Sequence, residues 1–237
     1  MNERTLLIQA LAESWSAEEA LEWASEKFPY NDVAIASSFG MEDMVLIDMA
    51  SRLKKPIPVF TLDTDFLFPE TYQLIETVEK KYGLTVEKLR PELTPEEQAR
   101  LHGEALWGRQ PDQCCHIRKI EPLTKKLSGL SAWVTGIRRK QSPSRAGTRK
   151  VEWDAKFNLI KVNPLAEWST RYVWEYLQKN NVPYNPLHDK NYPSIGCTHC
   201  TRPIQPGQPE RGGPLERIHK NRMRTAWLNE KHRVNVE

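Results

Sequence analysis

An open, mostly parallel α/β sheet is the fold class this sequence predicts, and three observations predict it. Short, nearly all-apolar runs recur, "VAIA" at 33–36, "IPVF" at 57–60 and "AWV" at 132–134. The first two lead through small or turn-forming residues into segments with apolar positions at helical spacing, "MEDMVLIDMASRL" and "FPETYQLIETVEKKYG". The runs lack in–out alternation, as expected of parallel strands whose two faces are both covered by crossover helices.

Taken in order, residues 4–28 read as one or two amphipathic helices, with Ser16 as N-cap and Glu19 completing a capping box. Strands follow at 33–36, 57–64, 84–91 and 130–137, and 159–168 reads as a fifth strand or an edge. Helices fall between them, at 41–53 and at 68–83, where Gly83 supplies the stop. The next, 94–108, starts with Thr94 as cap, Pro95 at the first position and Glu97 at the third. Ser169 caps a last helix over 169–181, after which the chain turns Pro-rich and irregular. The organisation expected is a helical segment 1–29, an α/β domain 30–181, a Pro/Gly-rich segment 182–213 and a tail 214–237.

The 237 residues are 39% hydrophobic, enough for a substantial core, and no apolar run approaches a membrane span. The first residues look helical and acidic rather than like an export signal, so a cytoplasmic protein is expected. A formal charge of +3 is too mild to argue for nucleic acid. The basic residues nonetheless cluster: 135–150, "TGIRRKQSPSRAGTRK", holds six and no acid, which suits a solvated loop or an anion site. In open sheets, ligands bind beyond the carboxyl ends of the strands. Ser37, Ser38, Gly40, Asp63, Thr64, Gly136 and Arg138 all lie just past strand ends.

The four cysteines form two unlike pairs, Cys114–Cys115 in "QCCHIRK" and Cys197–Cys200 in "SIGCTHCTRP". A cytoplasmic setting disfavours disulfides, and an adjacent pair would close a strained ring. A redox Cys-x-x-Cys would leave the other pair unexplained. Zinc takes four thiolates but seldom adjacent ones. An iron–sulfur cluster also takes four. Buried free thiols would not explain the pairing. Spacing alone leaves these open, with the cluster foremost.

Together, "SSFGMED", "QCCHIRKIEPL", "WVTGIRRKQSPSRA", "NPLAEWSTRYVWEYL" and "VPYNPLHDKNYPSIGCTHCTRP" resemble the assimilatory adenylyl-sulfate reductases of the iron–sulfur type, relatives of the phosphoadenylyl-sulfate reductases, over about residues 30–213. The resemblance implies a sheet of the adenine nucleotide α-hydrolase-like (PP-loop) type. It implies a modified phosphate loop at Ser37, Ser38, Phe39 and Gly40, whose small residues let backbone N–H groups approach an anion. It places Asp63 and Thr64 beside the nucleotide, makes 138–145 a substrate loop in which Arg138 and Arg139 fork onto sulfate or phosphate oxygens, and counts Gly136 and Arg145 among the substrate-binding residues. Cys114, Cys115, Cys197 and Cys200 become ligands of a [4Fe-4S] cluster, with Lys119 linking the cluster region to the substrate's charge; His116 and His199 are not ligands. The implied reaction reduces adenylyl sulfate to sulfite and AMP. A cysteine thiolate attacks sulfur, and thioredoxin or a similar dithiol resolves the thiosulfonate. Self-association is left open.

The nucleophile that the resemblance calls for is absent, because no cysteine follows Cys200. Related tails end like "KTECGLH". Residues 221–229 written as AAC AGA ATG CGG ACT GCA TGG CTG AAT and stepped one base forward read Thr-Glu-Cys-Gly-Leu-His-Gly-stop, the cysteine codon straddling Met223 and Arg224. Residues 214–220 treated alike give Arg-Trp-Ser-Gly-Ser-Thr-Lys. A frame change near Gly212 or Gly213 is the expected origin of this tail. Three rivals stand beside this reading: an ATP-using enzyme of the same sheet, although "SSFGMED" departs from a Ser-Gly-Gly-x-Asp-Ser loop; phosphoadenylyl sulfate as substrate; and a non-catalytic nucleotide or RNA binder, for which the basic loop lacks interleaved aromatics.

Overall fold

The computed structural model describes residues 3–204. Two helices, α1 (Glu3–Ala12) and α2 (Ala17–Lys27), open the chain. The break between them is set by the expected capping box: Glu19 N donates to Ser16 Oγ (3.1 Å) and Ser16 N to Glu19 Oε2 (2.6 Å). Six strands follow: β1 (Val33–Ala36), β2 (Val59–Leu62), β3 (Val86–Leu89), β4 (Ala132–Val134), β5 (Val151–Asp154) and β6 (Leu159–Val162). They form one sheet in the order β3-β2-β1-β4-β6-β5, parallel except for β5, which runs antiparallel to β6. The chain builds outward from β1 to β3 and then crosses to β4 on the other side of β1. This reversal opens a crevice at the carboxyl ends of β1 and β4.

The helices are α3 (Met41–Ala50), α4 (Pro69–Tyr82), α5 (Pro95–His102), α6 (Leu106–Arg109), α7 (Pro111–Cys115), α8 (Glu121–Leu127) and α9 (Thr170–Lys179). On one sheet face Met44, Val45, Leu46 and Ile47 of α3 pack with Leu21 of α2 and with Val173 and Leu177 of α9. Because α3 lies under other helices as well as on the sheet, nearly its whole surface is buried. On the opposite face Ala34, Phe60, Trp133 and Leu159 meet Leu127 of α8.

Three elements differ from the sequence expectation. The helix expected over 94–108 is two: Gly103 (φ 81°) and Ala105 (φ 51°) break it, and Arg109 secures the break by donating to His102 O (2.7 Å) and Glu104 O (2.8 Å). Strand β5 was not expected. It pairs with β6 through a turn in which Asn158 takes a positive φ of 57°. The segment between α6 and β4, unassigned from sequence, is helical and contains a π-helical turn at His116–Ile120.

Candidate functional site

The loop after β1 is small because α3 starts almost at once. Gly40 occupies the N-cap and offers no side-chain cap, while Phe39 (φ 59°) turns its ring into the core. The loop's donors are already engaged from within. Asp43, in the first turn of α3, folds back so that Oδ2 accepts from Ser38 N (2.6 Å) and Ser38 Oγ (2.8 Å). Burial pushes the Asp43 carboxyl up to about 6, against the pull of the Ser38 hydrogen bonds. Gly136 closes on this corner from β4. A Cβ there would stand 2.5 Å from Asp43 Oδ1 and 2.8 Å from Glu42 Cβ, so no larger residue fits unless that corner shifts.

A cavity of about 340 Å³ opens at the crevice. Of the residues singled out from sequence, Ser37, Ser38, Thr64, Lys119, Gly136, Arg145 and Cys197 line it. So do Glu42, Asp43 and Gln141, which sequence reasoning missed, and an apolar wall of Phe60, Leu123 and Trp133. The signal for the acids was the "MED" triplet opening a helix right after a small-residue loop; Gln141 carried none.

Other residues singled out from sequence lie off this cavity. Asp63 is buried and accepts from Tyr72 Oη (2.6 Å) and Arg90 Nε (3.1 Å); burial and this carboxylate push the Tyr72 phenol upward. Arg138 is buried, its Nε on Glu42 Oε1 (2.8 Å), Nη1 on Trp168 O (3.2 Å) and Nη2 on Thr170 Oγ1 (3.2 Å). Arg139 pairs with Glu13 and with Glu167 (3.2 Å). Each guanidinium finds a carboxylate supplied by a distant part of the chain. Gly40 and Arg138 line a neighbouring space of about 50 Å³ with Glu42 and His188.

All four cysteines are free thiols, and all four line a second, small cavity. Cys114 and Cys115 end α7. The π-helical turn then sets the facing of Arg118 and Lys119, a device common at functional sites. Cys197 and Cys200 arrive from the far end of the described chain. Their segment docks on 66–67 through an antiparallel bridge, Leu67 to Cys197, and through Thr198 N donating to Phe66 O (2.8 Å). Thr64 Oγ1 lies 3.3 Å from Cys197 Sγ. Burial raises the thiols of Cys114 and Cys115 and takes Cys200 to about 11. Lys119 lines both cavities, as does Cys197. Burial works against its charge, but Cys197, Cys115 and Cys200 outweigh that and shift its ammonium upward.

Arg118 is fully buried beside the thiols. Its Nη1 donates to Thr64 O and Asp65 Oδ2 (both 3.0 Å), its guanidinium carbon lies 4.5 Å from the Phe66 ring centroid, and its Nε finds no partner among the described residues. His199 stacks on Trp107 at 4.4 Å and meets Phe66 edge-on. Among the described residues no three His, Cys, Asp or Glu side chains are grouped to hold a metal ion, and no helix is long and apolar enough to cross a membrane. The tail with Met223 and Arg224 lies outside the described residues.

A mostly parallel sheet with a switch-point cavity, and a four-thiol space sharing a wall with it, defines a class: an α/β protein with a ligand-sized cavity beside a group of thiols. The chain belongs to the phosphoadenosine phosphosulfate reductase domain family, whose match covers residues 32–203. It is 50% identical over 202 residues to an adenosine 5'-phosphosulfate reductase of Oceanobacillus iheyensis, covering 85% of this chain and 84% of that protein. It is 46% identical over 196 residues to adenosine 5'-phosphosulfate reductase 2 of Bacillus subtilis, covering 82% and 83%. Among solved structures, the phosphoadenylyl-sulfate reductase of Candida auris in a phosphate complex superposes with a TM-score of 0.76 at 31% identity, covering 85% of this chain and 98% of that one. A Candida glabrata FMN adenylyltransferase shares the fold at a TM-score of 0.55 and 17% identity, covering 87% and 78%.

Proposed function

We propose that this protein's family activity is the reduction of adenylyl sulfate to sulfite and AMP in sulfate assimilation, with a thioredoxin-like dithiol as reductant, in the cytoplasm. The observation that carries it is the common wall: Lys119 and Cys197 face both the ligand cavity and the four-thiol space. In this reading the apolar wall of Phe60, Leu123 and Trp133 takes the base, while Lys119 and Arg145 meet the anionic phosphosulfate. Cys114, Cys115, Cys197 and Cys200 hold a [4Fe-4S] cluster. Four unpaired thiols around one space, a protonated Lys119 and the unpartnered Arg118 Nε fit such a group, since cations and N–H donors stabilise thiolate-bound sulfur. Bound there, the cluster orders the site and adjusts its electrostatics.

The attacking thiolate forms a sulfur–sulfur bond as the bond from sulfur to the AMP oxygen breaks. A dithiol then releases sulfite and leaves as a disulfide. With the four cysteines of the sequence engaged as ligands, none remains to attack. The chain as written therefore loads iron and binds nucleotide without turnover, and the tail read one base forward restores the nucleophile. The test is sulfite release from adenylyl sulfate with reduced thioredoxin, comparing the two versions. Turnover by the frame-restored version alone is expected. Normal turnover by the chain as written would overturn the assignment of its cysteines, and preference for phosphoadenylyl sulfate would favour the alternative substrate.

A further inference from the structure

Gln141 has each hydrogen-bonding position of its amide filled. Nε2 donates to Glu42 Oε1 (2.8 Å) and to Gly136 O (3.3 Å). Oε1 accepts from Arg138 N (3.1 Å) and from Arg145 Nη1. Two donors and two acceptor sites are all that a carboxamide has. Its orientation is fixed by neighbours of fixed polarity. A flipped amide would set its oxygen against the Glu42 carboxylate and its NH₂ against the Arg145 guanidinium, so both ends would repel. Glu42 is itself anchored, because the buried Arg138 guanidinium reaches Glu42 Oε1 through Nε (2.8 Å) and Nη2 (2.7 Å). The line of contacts runs from a buried ion pair, through one oriented amide, to an arginine that lines the ligand cavity.

We infer that Gln141 is a positioning residue that holds the Arg145 guanidinium at the cavity wall, so that the anionic end of a nucleotide meets a pre-set cation. This rests on the proposed nucleotide reading of the cavity. The geometry accounts for a glutamine here. A shorter side chain would not bridge Glu42 and Arg145, an apolar one would hold neither, and a second carboxylate would face Glu42. Fixing a flexible arginine before the ligand arrives removes an ordering cost from binding, and the gain appears only for ligands that carry the anion.

The test measures AMP and adenosine binding to the full chain by calorimetry, for the wild type, Gln141→Met, Arg145→Ala and the double variant. A charge-assisted contact of this kind is worth about tenfold in affinity or more. Arg145→Ala is expected to weaken AMP about tenfold and to spare adenosine. Gln141→Met is expected to do the same by several-fold, and the double variant to bind AMP no more weakly than Arg145→Ala alone, because both changes remove one interaction. Unaltered AMP affinity in Gln141→Met would overturn the inference. So would losses that multiply in the double variant, or equal weakening of AMP and adenosine, the mark of general loosening. Gln141→Asn, one methylene shorter, replaces the Met variant should that one not fold. A wild-type chain that binds neither ligand would instead bring down the nucleotide reading and this inference with it.

Discussion

Replacing Asp43 by Asn isolates the cost of keeping a carboxylate inside the loop after β1. The side chain is buried and its carboxyl is raised from the ordinary 3.8 to about 6, with burial the largest cause and the Glu42 charge adding to it. At about 1.4 kcal/mol per tenfold change in proton affinity, the ionised form costs about 3 kcal/mol at neutral pH. The folded carboxyl binds its proton more tightly than the unfolded one. Acidification therefore favours the folded chain, and this contribution is lost as pH rises between about 4 and 6. Asn keeps an oxygen for Ser38 N and Oγ but removes the charge. Urea unfolding of both proteins at pH 7.5 and pH 5 gives the measurement. The stability of Asp43→Asn relative to wild type should fall by about 1.4 kcal/mol between the two conditions, wild type gaining as its carboxyl protonates. Carboxylates not coupled to Asp43 are common to both proteins and drop out of the difference. A difference that stays constant between the two pH values would refute the claim that Asp43 is a buried, ionised acceptor at neutral pH.

Gly136→Ala drives a methyl to within 2.5 Å of Asp43 Oδ1; a loss of about 1–3 kcal/mol is expected, read as a fall in Tm, with weakened nucleotide binding. Asp48 accepts from Arg52 Nη1 (2.7 Å), Tyr82 Oη (3.0 Å) and Tyr176 Oη (2.8 Å), tying α3 to α4 and α9. Asp48→Ala strands two part-buried phenols and should cost about 2–3 kcal/mol in chemical denaturation while leaving AMP affinity unchanged. Cys197→Ser should lower the iron content of anaerobically reconstituted protein from about four atoms per chain, the number in a cubane cluster; full iron loading would contradict the assignment of Cys197 as a ligand.

The central strands were legible because "VAIA" and "AWV" are buried on both faces and admit little else. Strand β5 was not, because "VEWD" owes its state to pairing with β6 across Asn158 rather than to its own pattern. The break between α5 and α6 was hidden for a similar reason. "GEA" is compatible with a helix, and the carbonyl contacts of Arg109 hold it open. At the site, the sequence identified the cavity's cations but not their allegiances. Arg138 and Arg145 sit in one loop, yet Glu42, far away in the chain, takes the first, while Gln141 holds the second at the cavity wall. The two cysteine pairs were plain as pairs; that they surround one space, with Lys119 between it and the larger cavity, required the docking of 196–201 onto 64–67.

That docking has a consequence for biosynthesis. Cys114 and Cys115 leave the ribosome roughly eighty residues ahead of Cys197, which at ordinary elongation rates is about 4–16 s. The bridge from Leu67 to Cys197 cannot form until β2 is in place and the last segment has emerged. Through that interval two adjacent thiols wait without their partners, at risk of oxidation. The hazard falls on the nascent chain, so in the proposed cluster reading a shortage of iron during synthesis should be felt as a loss of newly made molecules.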